Sequence, residues 1–304
     1  MIEDLERFTA VAQGKAPAEL VIQGAKIYQS FTGTFAAGDI AIDQGYIAGL
    51  GDYAGRETIA AEGRYALPGF IDGHIHVESS LLSPGEFARA VVPTGTTAVV
   101  TDPHEIANVA GIPGIRYMMN ASCNLPLDTF FMLPSCVPAT ELEDGGAHLL
   151  AKDLAPLLDE PRVLGLAEMM NVPGVLAGDP VVYDKLMMRH GLQIEGHAPG
   201  VMGKPLMAYA AAGISSDHEC VTAEEGWARL AAGMYLEIRE GSAAHNLAAL
   251  RSVINEQTAP FCLFVTDDRH PADILERGHI NSIVKSAVEA GVSLSAAINM
   301  ATVN

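Results

Sequence analysis

From Pro68 onward the chain repeats one pattern, a short apolar run that stops on polar residues and is followed by a stretch with helical spacing. The runs end near His76, Asp102, Pro134, Glu168, His197, His218, Arg239 and Asp267. Amphipathic stretches such as EFARAVVPTG, DPVVYDKLMMRH, KPLMAYAAAG and AEEGWARLAAG lie between them. Eight such units predict an α/β fold, a (β/α)8 TIM barrel in which each strand feeds a helix that packs outside it. The alternative is a doubly wound open sheet, but no strand here leads into a GxGxxG turn.

The segment before Pro68 follows a different rule. ELVIQGAKIY, GDIAIDQGYIAGL and RETIAAEGRYALP alternate apolar and polar residues with Gly at the breaks, the pattern of short strands. Leu5, Phe8 and Val11 sit at helical spacing ahead of them. The expected organisation is a helical segment over 1–18, a small β-subdomain over 19–66 and the barrel over 67–304. The small sheet is expected to bury little core by itself and to need partner strands.

Bulk composition narrows the function. With 49% apolar and 18% charged residues there is ample core material for a globular protein. A formal charge of −19 argues against nucleic acid or an anionic membrane as partner. No apolar run reaches the roughly 18 residues of a spanning helix. The first residues, MIEDLERFTAVAQG, are acidic where a secretory leader would be basic. Four scattered cysteines without a CxxC pair suit a reducing compartment, so a cytoplasmic location is expected.

The strand ends carry the chemistry. In GFIDGHIH, His74 and His76 stand two apart and so point to one face of a strand. RVLGLAE ends in Glu168, LQIEGH in His197, GISSDH in His218 and FCLFVTD in Asp267. Barrel active sites sit at the C-terminal ends of the strands, so these six residues are expected to converge on one mouth. Alone, each has a plainer role: a strand-end His as a hydrogen-bonded loop residue, Asp267 as a helix cap. Together they exceed what one tetrahedral ion can use. They fit two divalent ions, one held by His74, His76 and Asp267 and one by His197 and His218, with Glu168 bridging. Two such ions depress the pKa of a water between them, and Asp267 can accept its proton, which implies hydrolysis at an electrophilic carbon.

GFIDGHIHVESS with a Glu after the fourth strand, single histidines after the fifth and sixth and an Asp after the eighth resembles the amidohydrolase superfamily. Together with TDPHEIANVAG, FFMLPSCVPAT, GLAEMMNVPGV, EGHAPG, SSDHEC and VTDDRHPADIL, these strings are similar to the long bacterial adenine deaminases within it. The resemblance implies a barrel of the metal-dependent hydrolase type and two manganese or iron ions, zinc also suiting the donors. It implies conversion of adenine and water to hypoxanthine and ammonia in purine salvage, and a homo-oligomer. Glu168 stands where many binuclear relatives carry a carboxylated lysine, which counts against dihydroorotase-like and hydantoinase-like chemistry. Protonation of the purine ring needs a second acid. His104 and Glu105, directly after the second strand, are favoured for this over Glu78. Arg269 and His270 are expected either at the purine or capping the next helix, and Asp268 is the rival of Asp267. Relatives of this kind run to about twice this length and add strands that complete the small subdomain, so a shortened chain is expected. Two other functions stay open, hydrolysis of a cyclic amide or N-acyl group and a metal-binding barrel without catalysis.

Overall fold

The computed structural model describes residues 2–140, 142–188 and 191–304. The chain divides into two compact units, one ending at Pro68 and the other running from Gly69 to Asn304.

In the first unit a helix, Leu5–Ala12, precedes strands β1 (Ala18–Gln29), β2 (Thr34–Asp43), β3 (Tyr46–Gly51), β4 (Gly55–Ala60) and β5 (Tyr65–Ala66). The sheet order is β3-β2-β1-β4, with β5 also paired to β1. The GDIAIDQGYIAGL stretch folds as a hairpin. Gln44 and Gly45 both take positive φ, 52° and 76°, the twist that a two-residue turn between right-handed strands requires. This sheet buries only a small cluster on each face. Val11, Ala18, Val21 and Ala41 pack on one side, and Ala25, Ile27, Ile40 and Ala61 on the other. The helix supplies the missing layer: its Val11 is fully buried, and Arg7 pairs with Asp43 at 2.6 Å.

The second unit contains strands β6 (Phe70–Ile75), β7 (Thr96–Thr101), β8 (Asp128–Leu133), β9 (Val163–Met169), β10 (Gln193–Gly196), β11 (Ser216–Asp217), β12 (Tyr235–Arg239) and β13 (Cys262–Val265). β6 to β10 form one parallel sheet in chain order and β11 to β13 a second. Helices follow the strands, among them Pro84–Val91, His104–Ala121, Gly203–Ala211, Ala223–Ala231 and Ile280–Glu289. Two sets of backbone bonds link the sheets. Ser215 N donates to Ile194 O at 2.9 Å, and Asp267 N donates to His74 O at 3.0 Å while His76 N donates to Asp267 O at 3.2 Å. Residues of all eight strands line a common cavity of about 360 Å³ on the N-terminal side of the strand ends. The strands are largely buried on both faces, as a parallel sheet covered by helices requires. Val99, Phe131, Leu133 and Leu166 belong to the larger core cluster, and Leu236, Ile238 and Phe264 to the other.

Candidate metal centre

The apolar strands end together, and their last residues are the polar ones. His74 and His76 leave the end of β6 on one face, with ring centroids 4.8 Å apart and nearly perpendicular. Glu168 closes β9, His197 follows β10, His218 follows β11, and Asp267 stands two residues beyond β13. Asp267 takes a left-handed φ of 57°, sparsely populated for a residue with a Cβ but tolerated by Asp. The two backbone bonds to β6 hold it there, so its carboxylate meets the histidine pair. Asp267 Oδ1 lies 3.2 Å from His76 Nε2 and 3.8 Å from His74 Nε2.

The Glu168 carboxylate splits the cluster into two sides. Its Oε1 lies 3.0 Å from His76 Nε2 and 4.0 Å from His74 Nε2. Its Oε2 lies 2.6 Å from His197 Nδ1 and 3.5 Å from His218 Nε2. The Ser135 hydroxyl donates to the Glu168 carbonyl, and Lys185 Nζ donates to Ser135 O at 2.7 Å, which steadies the strand end from beneath.

Burial and charge oppose each other throughout. Burial pushes the Glu168 carboxyl up, but hydrogen bonds from His197 and His76 outweigh it and hold it well below the usual carboxylate range. Asp267 follows the same balance, burial being overcome by its hydrogen bond to His76 and by the neighbouring imidazoles. His74 is driven well down by burial and by His218 and His76 beside it, so it stays neutral, with an Nε2 lone pair free to coordinate. That Nε2 is buried and has no hydrogen-bond partner among the described residues. Imidazole and carboxylate donors gathered around an orphaned buried nitrogen fit divalent ions. Ligand atoms come within 4.8 Å of one another in the sets His74–His76–Asp267, His74–Glu168–His218, His197–His218–Glu219 and His76–Asp102–His104–Glu168.

A second ring of residues surrounds these. His76 Nδ1 lies 2.9 Å from the Asp102 carbonyl, an acceptor only, so Nδ1 carries the proton and Nε2 faces the cluster. His74 Nδ1 lies 3.2 Å from Glu195 Oε2, and His218 Nδ1 lies 3.5 Å from Glu237 Oε2. Arg239 Nη1 sits 2.5 Å from Glu219 Oε1 and 2.7 Å from Asp267 Oδ2. Sequence reasoning assigned no role to Glu195, Glu219, Glu237 or Arg239. A signal existed for three of them. Glu195 stands two residues before His197, Glu237 two before Arg239, and Glu219 directly after His218, so strand periodicity places them beside or beneath the strand-end layer.

The remaining candidates separate into two groups. His104 lies against the cluster, its Nδ1 2.8 Å from Asp102 Oδ2 and 3.4 Å from Glu168 Oε1. Burial opposes its charge, but Asp102 outweighs burial and pushes it up to about 9. Glu105 Oε2 comes within 3.7 Å of His76 Nδ1. Glu78 accepts from Ile106 N at 3.3 Å, and burial with the nearby Glu105 pushes it up to about 7. Arg269 is held by the chain around it. The Arg269 guanidinium donates to Glu240 O, Gly278 O and Ser282 Oγ at 2.8, 2.9 and 3.1 Å. His270 stands at the N-terminus of the helix Pro271–Arg277 without a side-chain cap bond. Asp268 accepts from Ser79 Oγ at 2.6 Å, leaving Asp267 as the member of this pair in the cluster.

Comparison with known proteins decides the family. Residues 65–304 match the model of the amidohydrolase family. The chain belongs to that family. It is 54% identical over 303 residues to adenine deaminase 2 of Carboxydothermus hydrogenoformans, covering 100% of this chain and 53% of that protein. It is 52% identical over 296 residues to an adenine deaminase of Nitratidesulfovibrio vulgaris strain DP4, covering 97% and 52% of the two. This family member thus spans about half the length of the curated relatives it matches. Its fold is shared with the β-aspartyl dipeptidase of Fervidobacterium islandicum AW-1, at a TM-score of 0.62 and 14% identity, covering 95% of this chain and 86% of that one. Among the described residues of this amidohydrolase, no helix is long and apolar enough to cross a membrane.

Proposed function

We propose that this chain carries the catalytic portion of an adenine deaminase, which converts adenine and water to hypoxanthine and ammonia in cytoplasmic purine salvage. The observation that carries the reading is the division of Glu168, one oxygen toward His76 and the other toward His197 and His218. Identity of 54% and 52% to adenine deaminases over nearly the whole chain supports adenine as the substrate. The proposed frame is a closed (β/α)8 barrel, supported by the backbone bonds between the two sheets and by the cavity that all eight strands line.

His74, His76 and Asp267 would hold one divalent ion, His197 and His218 the other, and Glu168 both. Manganese or iron suits the family reading, and the same donors accept zinc. When bound, the two ions would supply Lewis acidity that lowers the pKa of water and makes it a nucleophile at neutral pH. Asp267 Oδ1 would accept a proton from the attacking water and return it to the departing ammonia. Arg239 occupies Oδ2, which leaves Oδ1 as the oxygen facing the reacting atoms. His104 and Glu105 stand at the same mouth and donate the proton that the ring nitrogen takes up when water adds to carbon 6. The full assembly is proposed to be a homo-oligomer.

The test is product analysis on metal-loaded protein offered adenine, dihydroorotate or an N-acyl amino acid. Hypoxanthine with equimolar ammonia from adenine is expected. Turnover of the cyclic amide or N-acyl substrate without turnover of adenine overturns the reading, and metal uptake with no turnover of any substrate points to the non-catalytic barrel.

A further inference from the structure

We propose that Glu195 and Glu237 are positioning residues, each locking one buried imidazole so that its Nε2 faces one ion of the pair. The proposal rests on the two-ion reading above.

Strand periodicity places both carboxylates one layer beneath the ligands. Glu195 precedes His197 by two residues on β10, and Glu237 precedes Arg239 by two on β12, so each points inward below a residue of the mouth. Both are almost wholly buried, at 5% and 3% exposure. Above them the rings of His74 and His218 stack at 4.3 Å and 17°, and both side chains are also buried. Each ring therefore spans two layers, with Nε2 among the ligands and Nδ1 above a carboxylate, at 3.2 Å for Glu195 and 3.5 Å for Glu237. His218 Nδ1 and Glu237 Oε2 are both buried without a hydrogen-bond partner among the described residues, and they face each other at 3.5 Å.

The cavity beneath explains why carboxylates are needed here. It measures about 360 Å³ and is lined by Gly73, Gln193, Glu195, Ser216 and Glu237, among others. Water in such a space could donate to or accept from Nδ1 equally well, leaving the tautomer of each ring undetermined. Burial and the neighbouring Glu237 push the Glu195 carboxyl up, so the lock requires its ionised form beside bound cations: an ionised carboxylate only accepts, and fixes the proton on Nδ1 and the lone pair on Nε2. It also raises the basicity of the imidazole as a ligand. His76 obtains the same lock from the Asp102 carbonyl, and His197 faces Glu168 through Nδ1 instead. His74 and His218, the two deeper rings, are the pair that rely on side chains.

The assignment is ion-specific, which separates it from a general structural role. Sequential Mn2+ dissociation constants, measured by chelator competition on the whole 304-residue chain, are expected to change one at a time. Glu195→Met should weaken the ion held by His74, His76 and Asp267 by 10- to 100-fold and spare the other, and Glu237→Met should do the reverse. Glu195→Gln and Glu237→Gln keep an acceptor oxygen and should recover most of the affinity. Nitrogen-15 shifts of the zinc-loaded wild-type chain should show His74 and His218 as Nδ1–H tautomers, a readout that needs no variant to fold. Unchanged constants in both Met variants, equal weakening of both ions, or Nε2–H tautomers in the wild type overturn the proposal. Wild-type uptake below two equivalents overturns the two-ion reading itself, and with it the division of one carboxylate per ion.

Discussion

Arg239 Nη1 lies 2.7 Å from Asp267 Oδ2, on the side of the carboxylate opposite the oxygen that approaches His76 Nε2 at 3.2 Å. The same nitrogen binds Glu219 Oε1 at 2.5 Å. One guanidinium therefore compensates the buried Asp267 and the half-buried Glu219 carboxylates and sets which Asp267 oxygen looks into the site.

Removing that cation should destabilise the metal-free protein most, because a buried and a half-buried carboxylate would then be left without compensation. Arg239→Met is expected to lower the denaturation midpoint strongly in chelator and less with Mn2+ present, since the ions supply the missing charge. Arg239→Lys restores charge without the fork and should fall between. Equal losses with and without metal would contradict the arrangement.

Asp267→Asn keeps an oxygen in the coordinating position but cannot take up a proton as a carboxylate does. Metal content should remain near the wild-type value while kcat for adenine drops by about 10²- to 10⁴-fold. Metal analysis and product assay on the same preparation check it. An active variant would move the proton transfer to another residue.

Arg229 is wholly buried and joins the segments that carry His197 and His218. It pairs with Asp217 at 2.9 Å and donates to Val201 O at 2.7 Å and to Ala198 O at 2.5 Å. Arg229→Leu leaves the Asp217 charge unpaired in the interior. A loss of about 3–5 kcal/mol in unfolding free energy is expected from chemical denaturation. A loss under about 1 kcal/mol would mean that the loop is held by something else.

His279 gives a pH dependence whose sign is fixed. It is fully buried, with Nδ1 3.0 Å from Thr96 Oγ1, and burial first and Arg269 second push it down to about 3. The unfolded chain, with a pKa near 6.5, binds this proton between those values and the folded chain does not. Stability from this group is therefore complete above about pH 6.5 and is lost as pH falls toward 3, at up to about 1.4 kcal/mol per pH unit. Asp72, pushed up to about 7 by burial, acts in the opposite sense, since the folded chain binds its proton first. Asp72 Oδ2 lies 3.3 Å from His279 Nε2, so urea midpoints at pH 7 and pH 5 of the wild type, His279→Gln, Asp72→Asn and the double variant are needed to separate the histidine. The wild type should lose more stability than His279→Gln over that interval.

Much of this architecture was legible because parallel strands buried on both faces announce themselves. Each is a compact apolar run, and the run stops where the chain reaches solvent or a ligand. Hence GFIDGHIH, RVLGLAE and FCLFVTD could be read to within a residue or two of their ends. The helix His104–Ala121 was harder to read, because Gly111 with φ 59° and Pro113 interrupt its periodicity and hide everything after DPHE. The helix Leu5–Ala12 was legible only as a spacing of Leu5, Phe8 and Val11, and that it packs on the small sheet through Val11 was not. Arg269, beside Asp267, was open to two readings, a purine contact or a cap of the next helix. Its three hydrogen bonds to the chain around Gly278 depend on a loop path that local sequence does not encode. Glu195 and Glu237 were passed over because apolar runs draw attention to their ends, and these carboxylates lie inside.

Everything turns on Glu168 serving both sides of the site, and metal counting on the 304-residue chain tests that most directly. Wild-type protein titrated with Mn2+ and analysed after gel filtration should retain two equivalents. Glu168→Ala, which removes a ligand from both ions at once, should retain one or none at the same free-metal concentration. Two equivalents held by Glu168→Ala with wild-type affinity would contradict the shared carboxylate and the centre built around it.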